Sequence, residues 1–324
     1  MVGKVSATDL ERLVFTRLGS ADPAVIQGPE YGEDTAAIQV GEETLVVNSD
    51  PISLAVDRVG TLGVMVACND VAASGGTPRW LTNVCILPED GERTLDRITH
   101  QIDEAATELG VQVVGGHAEY SAELSRPLLS MTCIGTTDRY VPTSGAAPGD
   151  LILLTGEAGI EGTAILASDF HEELDGQVEE RVLSNATDLF EKISILDAAS
   201  VLTSHATAMH DPTEGGVLAG LVELAVSSSV EFAVERGAIP VRPETKTLCA
   251  AMEVDPLRIF GSGALLATIP EAEREAALAA LADNGIPATV IGRVNAAPDD
   301  DGRVLLDEET LASPVEDDLY DLWE

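Results

Sequence analysis

Hydrophobic positions along the chain follow two rhythms. From Val59 to Ser74 nearly every residue is small or apolar, the pattern of a helix buried on all sides. Gly75-Gly76 closes that segment and Pro78 stops it. Leu95 to Leu109 instead spaces its apolar residues three and four apart, which predicts an amphipathic helix ended by Gly110. Leu45-Val-Val47 reads as a short strand leading into Asn48-Ser-Asp50. Gln112-Val-Val114 reads as a strand that ends at Gly115-Gly116, and Leu128 to Gly135 as another. The stretch Pro142 to Asp150 is rich in turn residues and places a domain boundary there, giving domains 1–148 and 149–324. Beyond it, Leu151 to Thr155 is a buried strand followed by Gly156, Gly159 and Gly162. Helices are expected over 161–168, 188–203 and 215–227. Ala264 to Ile269 and Ala288 to Val294 read as strands, with an alanine-rich helix from Glu271 to Asn284 and Gly285 after it. The tail from Ala297 to Glu324 is acidic and reads as a solvated surface, although Leu319, Tyr320, Leu322 and Trp323 could dock on the body. No repeat with a period of 20–50 residues is visible.

Charge narrows the function. Lys plus Arg total 18 and Asp plus Glu 56, a formal charge of −38. A surface this negative repels phosphate backbones and anionic lipid, so neither nucleic acid nor membrane is an expected partner. No apolar run reaches the roughly 18 residues of a membrane span. The N-terminus has no apolar signal segment, so a cytoplasmic location is expected. Only Lys4, Lys192 and Lys246 are lysines. Acidic, lysine-poor and aliphatic is a halophilic profile, because salt screens the self-repulsion of such a surface. Cys68, Cys85, Cys133 and Cys249 are far apart, form no CxxC and lie in apolar segments, so they read as buried free thiols.

Four acidic motifs, each beside small residues, carry the candidate chemistry. They are Tyr31-Gly-Glu-Asp34-Thr-Ala-Ala37, Asn48-Ser-Asp50-Pro51, Asn69-Asp70-Val-Ala-Ala-Ser-Gly-Gly-Thr-Pro78 and His210-Asp211-Pro-Thr-Glu-Gly-Gly216. Magnesium takes hard oxygen ligands, usually a few carboxylates plus phosphates and water. Carboxylates beside glycines suit it, because glycine lets phosphates approach the backbone. In a chain with 56 acids a single Asp is most often a solvated surface group. Asp70 differs: it lies inside a helix expected to be buried, where an unpaired carboxylate is costly. It needs a partner, and a metal is a good one. The glycines after residue 155 lack a Walker lysine, so they are not a P-loop.

In order along the chain, these motifs resemble the ATP-binding superfamily of aminoimidazole ribonucleotide (AIR) synthetase, thiamine-monophosphate kinase, selenophosphate synthetase and the hydrogenase maturation factor HypE. The resemblance spans about residues 30 to 294 and includes Pro148-Gly-Asp150, Thr155-Gly156 and Ser262-Gly-Ala-Leu-Leu266. It implies a two-domain α+β fold of AIR synthase type: an N-terminal mixed α/β domain whose sheet pairs in a homodimer, and a C-terminal α/β domain of ferredoxin-like type. It implies ATP and Mg²⁺ as cofactors, with Asp34, Asp50, Asp70 and Asp211 as metal ligands. Asn69, Gly116, Thr213, Gly215 and Gly216 would join the aspartates in holding the nucleotide. His117 and Asp70 are the candidate catalytic residues.

The layout is similar to HypE, as an archaeal AIR synthase-related branch would be, with departures. No cysteine precedes Cys68, which disfavours selenophosphate synthesis. The chain ends Asp321-Leu-Trp-Glu324, where HypE carries a terminal cysteine. The Gly115-Gly-His-Ala-Glu119 element has His117 where the family carries an acid, and His210 and Glu214 stand where HypE has arginines. The expected activity is ATP- and Mg²⁺-dependent phosphorylation of a carbonyl or amide oxygen, on a small molecule or a protein-thiocarboxamide-like group. The alternatives are a non-catalytic nucleotide-binding assembly protein and a small-molecule kinase of thiamine-monophosphate kinase type.

Overall fold

A computed structural model of the chain describes residues 4–52, 56–88, 92–298, 301–312 and 314–323. Its contacts separate two units. The N-terminal unit holds residues 23–28 and 34–140; the C-terminal unit holds the chain up to residue 22, residues 29–33 and everything from 141 onward.

The N-terminal unit is built on six strands: β1 (Val25–Gln27), β2 (Ala36–Val40), β3 (Glu43–Ile52), β4 (Thr77–Leu87), β5 (Gln112–Tyr120) and β6 (Leu128–Thr137). Their order is β1-β2-β3-β6-β4-β5. The alternating burial of β6 sends Leu129, Met131 and Cys133 inward. On that face lies the Val59–Ala73 helix, buried at nearly every position, with the Glu92–Leu109 helix packed against it. The close fit depends on glycine: a Cβ on Gly63 would sit 2.6 Å from Leu129 Cδ2. The outer helix buries only Ile98, Ile102, Ala105 and Ala106, as its amphipathic pattern predicts. All four cysteines are free and buried, and Cys68 and Cys133 face each other with their sulfurs 4.0 Å apart.

Two strands differ from the sequence reading. Leu45 to Val47 is expected as a short strand, yet β3 runs from Glu43 to Ile52, so Asn48 and Asp50 lie within the sheet, opposite Cys133 and Met131. Likewise Gly115-Gly116 does not end β5, which continues to Tyr120. Gly116 pairs with Asn83 of β4, and a Cβ there would come within 2.4 Å of the Asn83 carbonyl oxygen. The glycine marks a close backbone approach, which sequence alone does not separate from a strand end.

Seven strands form the C-terminal sheet: β7 (Leu151–Thr155), β8 (Ala208–His210), β9 (Val230–Val234), β10 (Leu265–Ile269), β11 (Ala288–Ala296), β12 (Arg303–Leu306) and β13 (Glu309–Leu311). The order is β13-β12-β9-β11-β7-β10-β8, antiparallel except where β12 runs parallel to β9. β7 and β10 are buried at every position because both faces are covered. The Gly216–Ser227 helix supplies Val217, Leu218, Leu221 and Leu224 to one core, against Ile152, Leu154, Leu266 and Phe232. Full burial of each such side chain contributes roughly 1.5–3 kcal/mol. The helix expected over 188–203 is two pieces, a turn at Asp188–Lys192 and a helix at Leu196–Leu202. Between them the Ser194 hydroxyl accepts the Leu196 N–H, a local bond that competes with continued helix.

The tail docks on its own unit. Leu319 is buried, the Tyr320 ring meets Phe260 edge-on at 5.9 Å, and Trp323 lies 5.3 Å from Phe170. Glu324 lies outside the described residues. Among the described residues no helix is long and apolar enough to cross a membrane.

Candidate functional site

In the N-terminal unit the site begins with Asp70, near the end of the Val59–Ala73 helix and 3% exposed. Asn48 orients it. The Asn48 side-chain oxygen accepts the Cys133 backbone N–H at 3.0 Å, so its amide nitrogen must face the other way. That nitrogen donates to Asp70 Oδ2 at 2.6 Å and to Asp50 Oδ2 at 3.1 Å. Two carboxylates distant in sequence are thus held by one amide. Asp34 reaches the same place by a second route. The Thr35 and Ser74 hydroxyls are 2.7 Å apart, and the Ser74 hydroxyl donates to the Asp70 carbonyl oxygen at 3.1 Å. This clasp fixes the start of β2 to the end of the helix. Carboxylate oxygens of Asp34 and Asp70 consequently lie within 4.8 Å of each other, one exposed and one buried.

Like charges at that spacing repel strongly in a partly buried setting, and a divalent cation relieves the repulsion. The donors are all hard oxygen, and Asp34 opens to solvent, which fits magnesium bound with water and phosphate. Asn69 is fully buried beside Asp70. His117 stands apart on β5, exposed, with Nε2 3.2 Å from Glu119 Oε2. Asn48 is visible in its motif, but its role is not; its position opposite Cys133 is a property of the β3–β6 pairing.

The C-terminal unit presents Asp211 directly after β8, 1% exposed. His210, the last residue of β8, is 3% exposed and places Nε2 2.9 Å from Glu223 Oε2. Burial raises the Glu223 carboxyl, but the Lys4 ammonium and the His210 ring outweigh it and hold the group down at about 2. Glu223 is therefore the acceptor and His210 the donor. After Asp211 the chain turns tightly. Thr213 O accepts the N–H groups of Gly216 and Gly261, and Gly215 donates to Asp317 Oδ2 at 2.8 Å. Both glycines have positive φ, and a Cβ on Gly216 would lie 2.5 Å from Ile259 O. Their N–H groups are used internally and backbone carbonyls of Val315 and Ile259 fill the space beside them, so the glycines shape the turn and the Thr213 side chain is what it offers a ligand.

Two buried acids lie beside this turn, and sequence reasoning missed both. Burial pushes Glu161 up to about 7, with the Glu214 charge adding to it and the neighbouring Ser262 opposing. Burial also pushes Asp317 up to about 7, against the lowering effect of the Leu319 and Gly215 N–H groups. The tail reads in sequence as a solvated acidic surface, yet Asp317 is 5% exposed.

Residues 32–137 match the family model of the AIR synthase related protein N-terminal domain, and residues 147–304 that of its C-terminal domain. The chain belongs to the AIR synthase-related family. Among its relatives is a carbamoyl dehydratase HypE of Rhodobacter capsulatus, 29% identical over 302 residues, covering 90% of this chain and 86% of that protein. A thiamine-monophosphate kinase of Halobacterium salinarum is 31% identical over 253 residues, covering 78% of this chain and 81% of that one. The solved structure described as AaThiL complexed with AMPPCP and TMP superposes with a TM-score of 0.76 at 22% identity, covering 96% of this chain and 97% of that one. The two sheets with flanking helices are the two-domain α/β fold of this family.

Proposed function

We propose that this AIR synthase-related chain is an ATP- and magnesium-dependent enzyme that phosphorylates a carbonyl or amide oxygen, as a HypE-like member of the family. The observation that carries the reading is the pair of Asp34 and Asp70 carboxylates within 4.8 Å, one of them oriented by Asn48. A neighbour complexed with AMPPCP, a non-hydrolysable ATP analogue, supports nucleotide use. Asp34, Asp50 and Asp70, and on the C-terminal unit Asp211, are the carboxylates that would hold Mg²⁺, which when bound would neutralise phosphate charge in a transfer that is mostly positioning. Thr213 donates a hydrogen bond from its hydroxyl to the phosphates, and Gly215 and Gly216 hold the positive-φ turn that brings it there. Asn69 and Gly116 complete the nucleotide contacts. His117, tethered by Glu119, is the acid–base group, and Asp70 orients the reacting phosphate.

The chain acts as a homodimer in this proposal. β5 is a nine-residue edge strand exposed along its whole length, with Val114 and Tyr120 more than half exposed, and such an edge favours pairing with a second copy.

Calorimetry with a non-hydrolysable ATP analogue in molar KCl tests the reading, with and without Mg²⁺. The wild-type chain binds with Mg²⁺, and Asp70→Asn weakens that binding at least about tenfold. Absence of heat from the folded wild-type chain removes the reading. The Halobacterium relative favours a second one, phosphorylation of a small alcohol or phosphate monoester with release of ADP. Product analysis separates them: a stable phosphorylated product favours the kinase, and inorganic phosphate with a dehydrated product favours the first.

A further inference from the structure

One turn of the Gly216–Ser227 helix is charged although the helix lies in the core. Glu223 is 8% exposed among Val222, Leu224 and Ala225, all buried. Its Oε1 accepts from Lys4 Nζ at 3.0 Å and its Oε2 from His210 Nε2 at 2.9 Å. An apolar residue would serve the core at least as well, because burying an ion pair seldom adds net stability. The same helix face also holds the segment that precedes Asp34. Ser227 Oγ donates to Tyr31 O at 2.7 Å, and Gly32 passes so close that a Cβ would lie 2.5 Å from Ser227 Oγ and 3.3 Å from Glu223 O. On the other side, a Cβ on Gly220 would come within 3.1 Å of His210 Cδ2. Three separate segments therefore meet on one stretch of helix: the N-terminal segment at Lys4, the turn before Asp34, and the strand end before Asp211.

We propose that Lys4 and Glu223 are positioning residues for the magnesium–nucleotide site, fixing the His210 ring and through it the backbone that presents Asp211. The proposal rests on the function proposed above. Glu223 takes the ring hydrogen of His210 and so sets which nitrogen faces the core. Lys4 supplies the charge that keeps Glu223 ionised in a buried place, and it does so from a segment that carries no site motif. Groups that orient a metal ligand change affinity without touching the metal, and Glu223 acts one step further out, through the backbone that joins His210 to Asp211.

The test uses full-length Lys4→Met, Lys4→Arg and, as a control, Lys246→Met, an exposed lysine on the Pro243–Met252 helix. Lys4 is 47% exposed in its side chain, so its replacement leaves a folded protein. Two quantities are read. The first is affinity for the Mg²⁺–nucleotide analogue by calorimetry in molar KCl. The second is the His210 imidazole nitrogen resonance in the protein without nucleotide or metal. Lys4→Met weakens Mg²⁺–analogue binding roughly 10-fold or more and moves the His210 resonance; Lys4→Arg restores both; Lys246→Met changes neither. Unchanged affinity in Lys4→Met, a loss that arginine does not restore, or an unmoved imidazole resonance each overturns the proposal. A wild-type chain that binds no Mg²⁺–analogue removes the reading of function instead, and the imidazole resonance then decides whether Lys4 governs His210 at all.

Discussion

Replacing Glu161 by glutamine stabilises this protein, and the gain grows with pH. Glu161 lies in the first turn of the Ile160–Asp169 helix and is 6% exposed. The titratable groups facing it are Glu214 from the glycine turn and Asp317 from the tail, both of one sign, with Ser262 the neighbour that offsets them in part. Burial raises its carboxyl from an ordinary 4.5 to about 7. A carboxyl raised in this way keeps its proton in the fold at a pH where the unfolded chain has released it. Stability from this group is therefore complete below about 4.5 and is lost as the pH rises through about 7. A difference of about 2.5 pH units, at 1.36 kcal/mol per unit, is about 3 kcal/mol at pH 8. Glutamine has the shape of the protonated acid and still accepts the Ser262 N–H. Glu161→Gln is thus nearly neutral at pH 4.5 and about 3 kcal/mol more stable than wild type at pH 8, or roughly 6–12 °C in melting midpoint. Paired melts of both proteins from pH 4.5 to 8, in constant molar KCl, measure the difference directly. A gap that does not change with pH, or a variant that melts lower at pH 8, refutes the burial argument.

Asn48→Ala removes the acceptor of the buried Cys133 N–H and the donor to Asp50 and Asp70. The expected cost is about 1–3 kcal/mol in denaturant unfolding, together with weaker Mg²⁺-dependent nucleotide binding. Val114→Lys places a charge on the exposed edge strand β5. Light scattering is expected to give half the wild-type mass, and an unchanged mass would separate dimer formation from that edge.

The parts of this molecule that sequence made legible are those where one residue type has one local meaning. The run from Val59 to Ala73 can only be a helix covered on all sides, and it is. Asp70 inside it had to be partnered, and Asn48 answers that need at 2.6 Å. The turn at Gly215-Gly216 sits where two small residues precede an apolar helix, and both glycines have positive φ. What stayed illegible depends on register and on distant segments. Gly116 looks like a strand end because nothing local reveals that Asn83 O lies against it. Glu161 and Asp317 look like two of 56 acids, because only the folded tail brings them beside one turn. Lys4 carries no motif, and its partner Glu223 is 219 positions away. The same physics explains both outcomes. A buried charge must be compensated wherever it occurs, so sequence reveals that a partner exists when burial is locally obvious, as for Asp70. For Glu223 the burial itself is hidden: its helix is amphipathic in neither direction, and one acid in an apolar dozen passes for a surface residue until the neighbouring strand supplies His210.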